Sequence, residues 1–400
     1  MNDKEPANLP LRGIRVLELC HTIMGPSAGL LLAELGADVI KIEPVEGDRT
    51  RRLSGFAAGF FGTFNRNKRS LAIDLKAPAG RDLLLDLAAE SDVIMENFAP
   101  GTMERLGLAD ETLKARNGGL IYCSLKGFLS GPYEHRPALD EVVQFMGGLA
   151  YMTGPPGRPL RAGTSVIDIM GGTFAVVAVL AALAERARTG RGQSVKSALF
   201  ESTTFLMAQH MAGTTITGRS MPPMPAREGA WGIYEPFETA DGQQIFIGIT
   251  SDNHWRRFCE AFKRPDLLED PRYTTNEDRV RERPTLLAIV AGLAKRRNQA
   301  ELESLFDAIS IPFAPVATPD DLFGDPHLQA GGRLLDVELQ PGLRGQLAGL
   351  PFEMESAAVG TVRRQPPRAG EHSREILGEY GFEQDTVDAL IARGVIRQSD

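Results

Sequence analysis

An open, Rossmann-like α/β fold with a second, smaller α/β domain is the architecture this sequence predicts. Two patterns carry the expectation. Short runs rich in Val, Ile and Leu alternate with helical stretches through the first half, and a proline-rich segment near residue 220 breaks the composition. Alternation at this spacing implies a parallel sheet covered by helices on both faces.

The elements follow in order. Ile14–Leu19 reads as a first strand, and Pro26 opens a helix to about Leu35. Asp38–Glu43 (DVIKIE) is a second strand and Leu71–Leu75 a short third, followed by a helix over Ala79–Glu90. Asp92–Met95 and Gly119–Ser124 continue the series. Two long helices are expected near Glu141–Tyr151 and Asp168–Arg188, the second stopped by a basic last turn and Gly190. A strand at Ser194–Lys196 and another helix come next.

From Ser220 to Gly232 the chain carries Pro222, Pro223 and Pro225 and reads as a linker. Beyond it lie an expected strand at Gln244–Ile249 and helices near His254–Phe262, Pro284–Ala294 and Ala300–Ala308. The expected division is 1–220 for the large domain, 221–328 for the small one, and 329–400 as a tail returning to the large domain.

Composition narrows the function. A formal charge of −8 in 400 residues argues against a nucleic-acid surface, which needs a basic face. Three distant cysteines (Cys20, Cys123, Cys259) without a CxxC pair suggest neither a disulfide framework nor a zinc site, and a reducing, cytoplasmic setting fits them. The first residues, MNDKEPANLPLRG, do not resemble a signal peptide. The most apolar run, Gly171–Ala184, reads as a buried helix too short to cross a bilayer, which needs roughly 20 residues, so no membrane partner is expected.

A parallel sheet invites a nicotinamide or flavin reading. The turn after the first strand, Cys20 to Gly29, has no G-x-G-x-x-G, and Pro26 removes an N–H that would face a pyrophosphate. Glu43, at the end of the second strand, stands where a ribose-binding acid would, which is weak support on its own.

Seven segments, in order along nearly the whole chain, point elsewhere. They are Leu11–Leu17 (LRGIRVL), Gly36–Pro44 (GADVIKIEP), Asn65–Ser70 (NRNKRS), Glu96–Gly101 (ENFAPG), Leu180–Leu183 (LAAL) leading into Thr189–Gln193 (TGRGQ), Ile311–Val316 (IPFAPV) and Asp325–Gln329 (DPHLQ). Together they resemble the class III CoA-transferases, whose fold the α-methylacyl-CoA racemases share. The resemblance implies a large Rossmann-like domain, a small domain and two subunits threaded through each other as an interlocked homodimer. It also implies acyl-CoA thioesters and small carboxylic acids as substrates, with no permanently bound cofactor and no metal.

Asp168 stands in VIDIMGG, at the start of the long apolar helix. Read alone it is a helix cap, because Asp binds free N–H groups there. The resemblance makes it the catalytic carboxylate, which attacks the thioester and carries first the acyl group and then CoA. Gly171 and Gly172 then permit close backbone approach for an oxyanion, or equally for tight helix packing. Asp140 matches an acidic position near the family's active site. Leu139 stands where the racemases have a histidine; leucine exchanges no proton, which disfavours racemisation.

For CoA, the resemblance implies Asn97, Phe98 and Ala99 along the nucleotide and pantetheine, with Arg105 and Lys76 as cations and Lys68 and Arg69 behind them. His21 and Ile23 lie on a loop expected over CoA. Ile23 replaces a glutamine of formyl-CoA transferase, which puts oxalate as acceptor in doubt. Arg227 is a candidate for a second carboxylate of a dicarboxylic substrate. The expected reaction moves CoA from succinyl-CoA or a similar donor to a carboxylic acid, expected to be a dicarboxylate. Racemisation or epimerisation of an acyl-CoA and non-catalytic CoA binding are the alternatives.

Overall fold

A computed structural model describes residues 8–226 and 229–399. The first half supplies six strands: β1 (Arg15–Leu19), β2 (Asp38–Glu43), β3 (Arg69–Ile73), β4 (Val93–Glu96), β5 (Ile121–Lys126) and β6 (Ser194–Ala198). The remaining strands are β7 (Ile233–Glu238), β8 (Gln244–Ile249), β9 (Phe313–Pro315), β10 (Leu334–Gln340), β11 (Leu343–Ala348) and β12 (Ile396–Arg397). The main sheet runs β12-β3-β2-β1-β4-β5-β6, parallel throughout except for β12, which pairs antiparallel with β3. Val16, Leu17, Ile40, Leu71, Ile94, Ile121 and Cys123 are all buried, as strands covered on both faces require. One apolar layer gathers Leu84, Leu87 and Ile376; the other gathers Ala28, Leu32, Ala175 and Val179.

The chain separates into two compact units, Met1–Pro225 with Leu328–Asp400, and Ala226–His327. The second has its own core of Trp255, Phe258, Leu286, Val290 and Phe306 behind the antiparallel sheet β7-β8-β9. Pro236 lies inside β7, an edge strand, where its missing N–H interrupts no interior ladder.

Several elements differ from the sequence expectation. β3 begins two residues earlier than expected, because Arg69 and Ser70 belong to its ladder. The helix expected over Glu141–Tyr151 is two, Asp140–Met146 and Leu149–Thr153, divided at Gly147-Gly148; Gly148 has φ of +88°. The long apolar helix runs Val166–Thr189, 24 residues, so its length and composition would suffice for a membrane span, contrary to the reading of a run of about fourteen. Here its inner face (Ile167, Gly171, Ala175, Val179, Ala182) packs in the core against the helix Met24–Glu34. The hairpin β10–β11 and the helices Ser373–Glu379 and Gln384–Ala392 lie in a tail that reads only as glycine- and proline-rich.

Candidate active site

The long helix Val166–Thr189 delivers Asp168 in its first turn, next to the loop that leaves β1. Asp168 does not cap its own helix. That task falls to Asp140, whose Oδ2 accepts the N–H groups of Ile167 (2.8 Å) and Asp168 (2.9 Å). The N–H of Val166 reaches Thr164 O and that of Ile169 reaches Ser165 O, so the first four helical donors are all satisfied. Asp140 is buried, bonded also to Gln144 Nε2, and Gln144 Oε1 accepts from the Ala162 N–H (2.8 Å).

Relieved of capping, the Asp168 carboxylate faces a cavity of about 290 Å³. Its wall includes His21, Ile23, Asn97, Lys126, Leu139, Asp140 and Glu141. No hydrogen bond or ion pair to the Asp168 carboxylate is found among the described residues. Burial first, then the charges of Asp140 and Glu141, push its pKa up to about 7. A carboxylate so placed is poorly solvated when ionised and correspondingly nucleophilic.

A second cavity, about 490 Å³, opens on the other side of His21. Leu19, Ile42, Val45, Ile73, Leu75 and Leu106 make its apolar wall, and Arg49, Lys76 and Phe98 stand at it. Such a lining suits a flat heteroaromatic ring with anionic groups at the rim. Cys20 borders this cavity too, but burial, and next the Glu18 charge, hold its thiol pKa well above the ordinary value. It is not a thiolate.

The structure brings most of the expected site residues together, with corrections. Asp168, Asp140, His21, Ile23, Leu139 and Asn97 share the smaller cavity; Lys76, Phe98 and His21 share the larger. Ala99 borders a separate polar hollow with Tyr122 and Lys196. Arg105 is exposed, bonded to Thr102 Oγ1 (2.7 Å), and borders neither of the first two cavities. Gly171 and Gly172 are buried in the helix interior, where a Cβ on Gly172 would lie 2.6 Å from the Met24 carbonyl. Close helix packing explains both glycines, and they do not line the Asp168 cavity.

Lys68 and Arg69 are no surface cations either. Lys68 Nζ is buried on Glu18 Oε2 (2.6 Å), with its pKa lowered by burial to about 8, and Arg69 is clamped by Asp38, Glu375 and Glu379. Glu43 is held by Arg51, Ser70 and the Asp48 N–H, which leaves it no ribose to bind. Arg227 lies outside the described residues. Among these residues no group of three or more His, Cys, Asp or Glu is placed to hold a metal.

Sequence reasoning missed the pair Glu96–Lys126. Lys126 Nζ meets Glu96 Oε2 (2.7 Å) and Phe98 O (2.8 Å), while the Phe98 N–H donates to the same Glu96 oxygen (3.0 Å). This pair shapes the Asn97–Phe98 turn between the cavities. The signal available was an acid ending one central strand and a lysine ending the next.

Comparison with known proteins identifies the family. Residues 11–373 match the model of CoA-transferase family III. The chain is 34% identical to a succinate–glutarate CoA-transferase of Agrobacterium fabrum, over 95% of this chain and 98% of that one. It is 35% identical to a succinyl-CoA:mesaconate CoA-transferase of Haloarcula hispanica, over 93% and 96%. Among solved structures, a CaiB/BaiF family protein of Brucella suis superposes with a TM-score of 0.83 at 34% identity, covering 93% of this chain and all of that one. The chain belongs to CoA-transferase family III and is a CoA-transferase of that class.

Proposed function

We propose that this enzyme moves CoA from succinyl-CoA, or a closely similar donor, to a dicarboxylic acid, with Asp168 as the nucleophile. The carrying observation is the Asp168 carboxylate itself: it opens on a cavity, has its capping work done by Asp140, and titrates near neutrality. The dicarboxylate half rests on the relatives, which are named for succinate, glutarate and mesaconate.

The steps balance without a cofactor. An Asp168 oxygen attacks the thioester carbonyl; the C–S bond breaks and CoA leaves as thiolate, giving a mixed anhydride. The thiolate attacks the aspartyl carbonyl, the donor acid departs, and CoA remains on Asp168 as a thioester. The acceptor carboxylate reverses these steps. In this reading the larger cavity takes the nucleotide end of CoA and the smaller one the acyl end, with His21 between them.

The test is direct. Enzyme mixed with succinyl-CoA and no acceptor should gain the mass of CoA less one water, and peptide mapping should place it on the segment holding Asp168. Asp168→Asn should fold, bind CoA and gain no adduct, with turnover reduced by several orders of magnitude. A variant that retained more than about a tenth of wild-type turnover would remove Asp168 from the mechanism.

The working unit in this reading is an intertwined homodimer. Phe205, Met211 and Ile216 on the helix Leu199–Thr217, and Val177 on Val166–Thr189, are exposed, an apolar display that a second copy would cover. Light scattering at high dilution should find no folded, active monomer; finding one would refute the interlocking.

A further inference from the structure

Three successive residues after β1 are held by side chains from three other parts of the chain. The Cys20 carbonyl accepts from Lys41 Nζ (2.8 Å). The His21 N–H donates to Asn97 Oδ1 (3.0 Å), and the His21 carbonyl accepts from Asn97 Nδ2 (2.8 Å). The Thr22 N–H donates to Thr50 Oγ1 (3.1 Å). Thr22 itself has φ of +66°, a left-handed conformation that a β-branched residue rarely adopts and that surrounding structure must impose.

One carboxylate governs two of these holds. Asp48 Oδ1 accepts from both the N–H and the hydroxyl of Thr50 (2.8 Å each), and its Oδ2 pairs with Lys41 Nζ (2.9 Å). With its proton aimed at Asp48, the Thr50 hydroxyl presents lone pairs to Thr22. Asp48, Thr50 and Lys41 are all buried, so the arrangement is built in low-dielectric surroundings. What it fixes is the His21 ring, which borders both cavities, stacks on Phe98 and contacts Thr22 Oγ1 through Nδ1 (2.8 Å).

We propose that Thr50 is a positioning residue for CoA transfer: acting through the Thr22 N–H, it holds the His21 ring at the wall where the thioester passes from the larger cavity to Asp168. The proposal rests on the reading of Asp168 as nucleophile. The first four N–H groups of the Asp168 helix are already bonded, so polarisation of the thioester has to come from elsewhere in the wall, and His21 is the wall group common to both cavities. Misplacing such a group by about 1 Å can cost up to 100-fold in rate, while the rest of the larger cavity's wall, from Ile42 to Leu106, stays in place. The loss should therefore fall on kcat rather than KM.

Thr50→Val keeps the shape and removes the acceptor. It should lower kcat, and the single-turnover rate of CoA-adduct formation on Asp168, by about tenfold, with KM for succinyl-CoA within about twofold. Thr50→Ser, which retains the hydroxyl, should restore the rate. In a His21→Ala background Thr50→Val should have almost no further effect, since both changes act through one ring. Should Thr50→Val fail to fold, Thr50→Ala makes the same comparison, because it removes the same acceptor with less bulk to accommodate. Wild-type adduct rates in folded Thr50→Val, or losses that multiply with His21→Ala, would overturn the proposal. If the wild-type enzyme forms no adduct on Asp168, the nucleophile reading fails first and takes this premise with it.

Discussion

The carboxylate of Asp140 accepts the backbone N–H of Asp168 at 2.9 Å, so one acid caps the helix that presents the other. The relationship ties stability to chemistry. Asp140 supplies the cap that Asp168 would otherwise give, and its charge helps burial hold the Asp168 carboxyl protonated up to about 7.

Transfer should therefore depend on pH through Asp168. In the proposed mechanism Asp168 attacks in its ionised form, so kcat/KM should rise about tenfold per pH unit on the acid side and level off above about 7. Asp140→Asn keeps a side-chain acceptor for the cap and removes the neighbouring charge. Its acid limb should move to lower pH yet remain above the ordinary carboxylate range, because burial is the larger cause. Asp140→Ala should in addition destabilise the fold by about 1–2 kcal/mol through loss of the cap. An acid limb unmoved in Asp140→Asn would mean that Asp168 does not set the profile.

Leu139 is 66% exposed and borders the Asp168 cavity, putting an apolar, proton-inert side chain in the wall. In heavy water a 2-methylacyl-CoA incubated with the enzyme should gain no α-deuterium at catalytic rates. Mass spectrometry reads the exchange directly. Deuterium entering as fast as transfer proceeds would make racemisation the main activity.

Physical range decides how much of this could be read from the sequence. The central strands were legible because burial on both faces demands unbroken apolar runs, as at Val39–Ile42 and Val93–Met95, interrupted only by the buried Lys41. Asp168 was not legible from its surroundings. Its local pattern is that of a cap, and the residue that actually caps lies 28 positions earlier in another helix. Lys68 and Arg69 misled for a similar reason: a short basic run looks solvated until Glu18, Asp38 and Glu379 are folded against it. The division of the Glu141–Tyr151 stretch at Gly147-Gly148 was visible in composition, but the backbone angle of Gly148 that makes the break was not.

The neutral-range titration of Asp168 also predicts a stability difference with a definite sign. In the unfolded chain this carboxyl ionises near pH 4, whereas in the folded protein it holds its proton to about 7. Between those values the folded state binds more protons, so stability falls as pH rises through the window and stays lower above it. Asp168→Asn removes the titration. The variant should therefore be more stable than wild type at pH 8, on the order of 1–2 kcal/mol after allowing for solvent in the cavity, or roughly 1–3 °C in Tm. Below pH 4 the acid is protonated in both states, and the two proteins should melt together. Thermal unfolding at pH 8 and pH 3.5 makes the comparison. A variant no more stable than wild type at pH 8 would show that the folded protein does not strain this carboxylate, and would return Asp168 to the standing of an ordinary acid in the first turn of its helix.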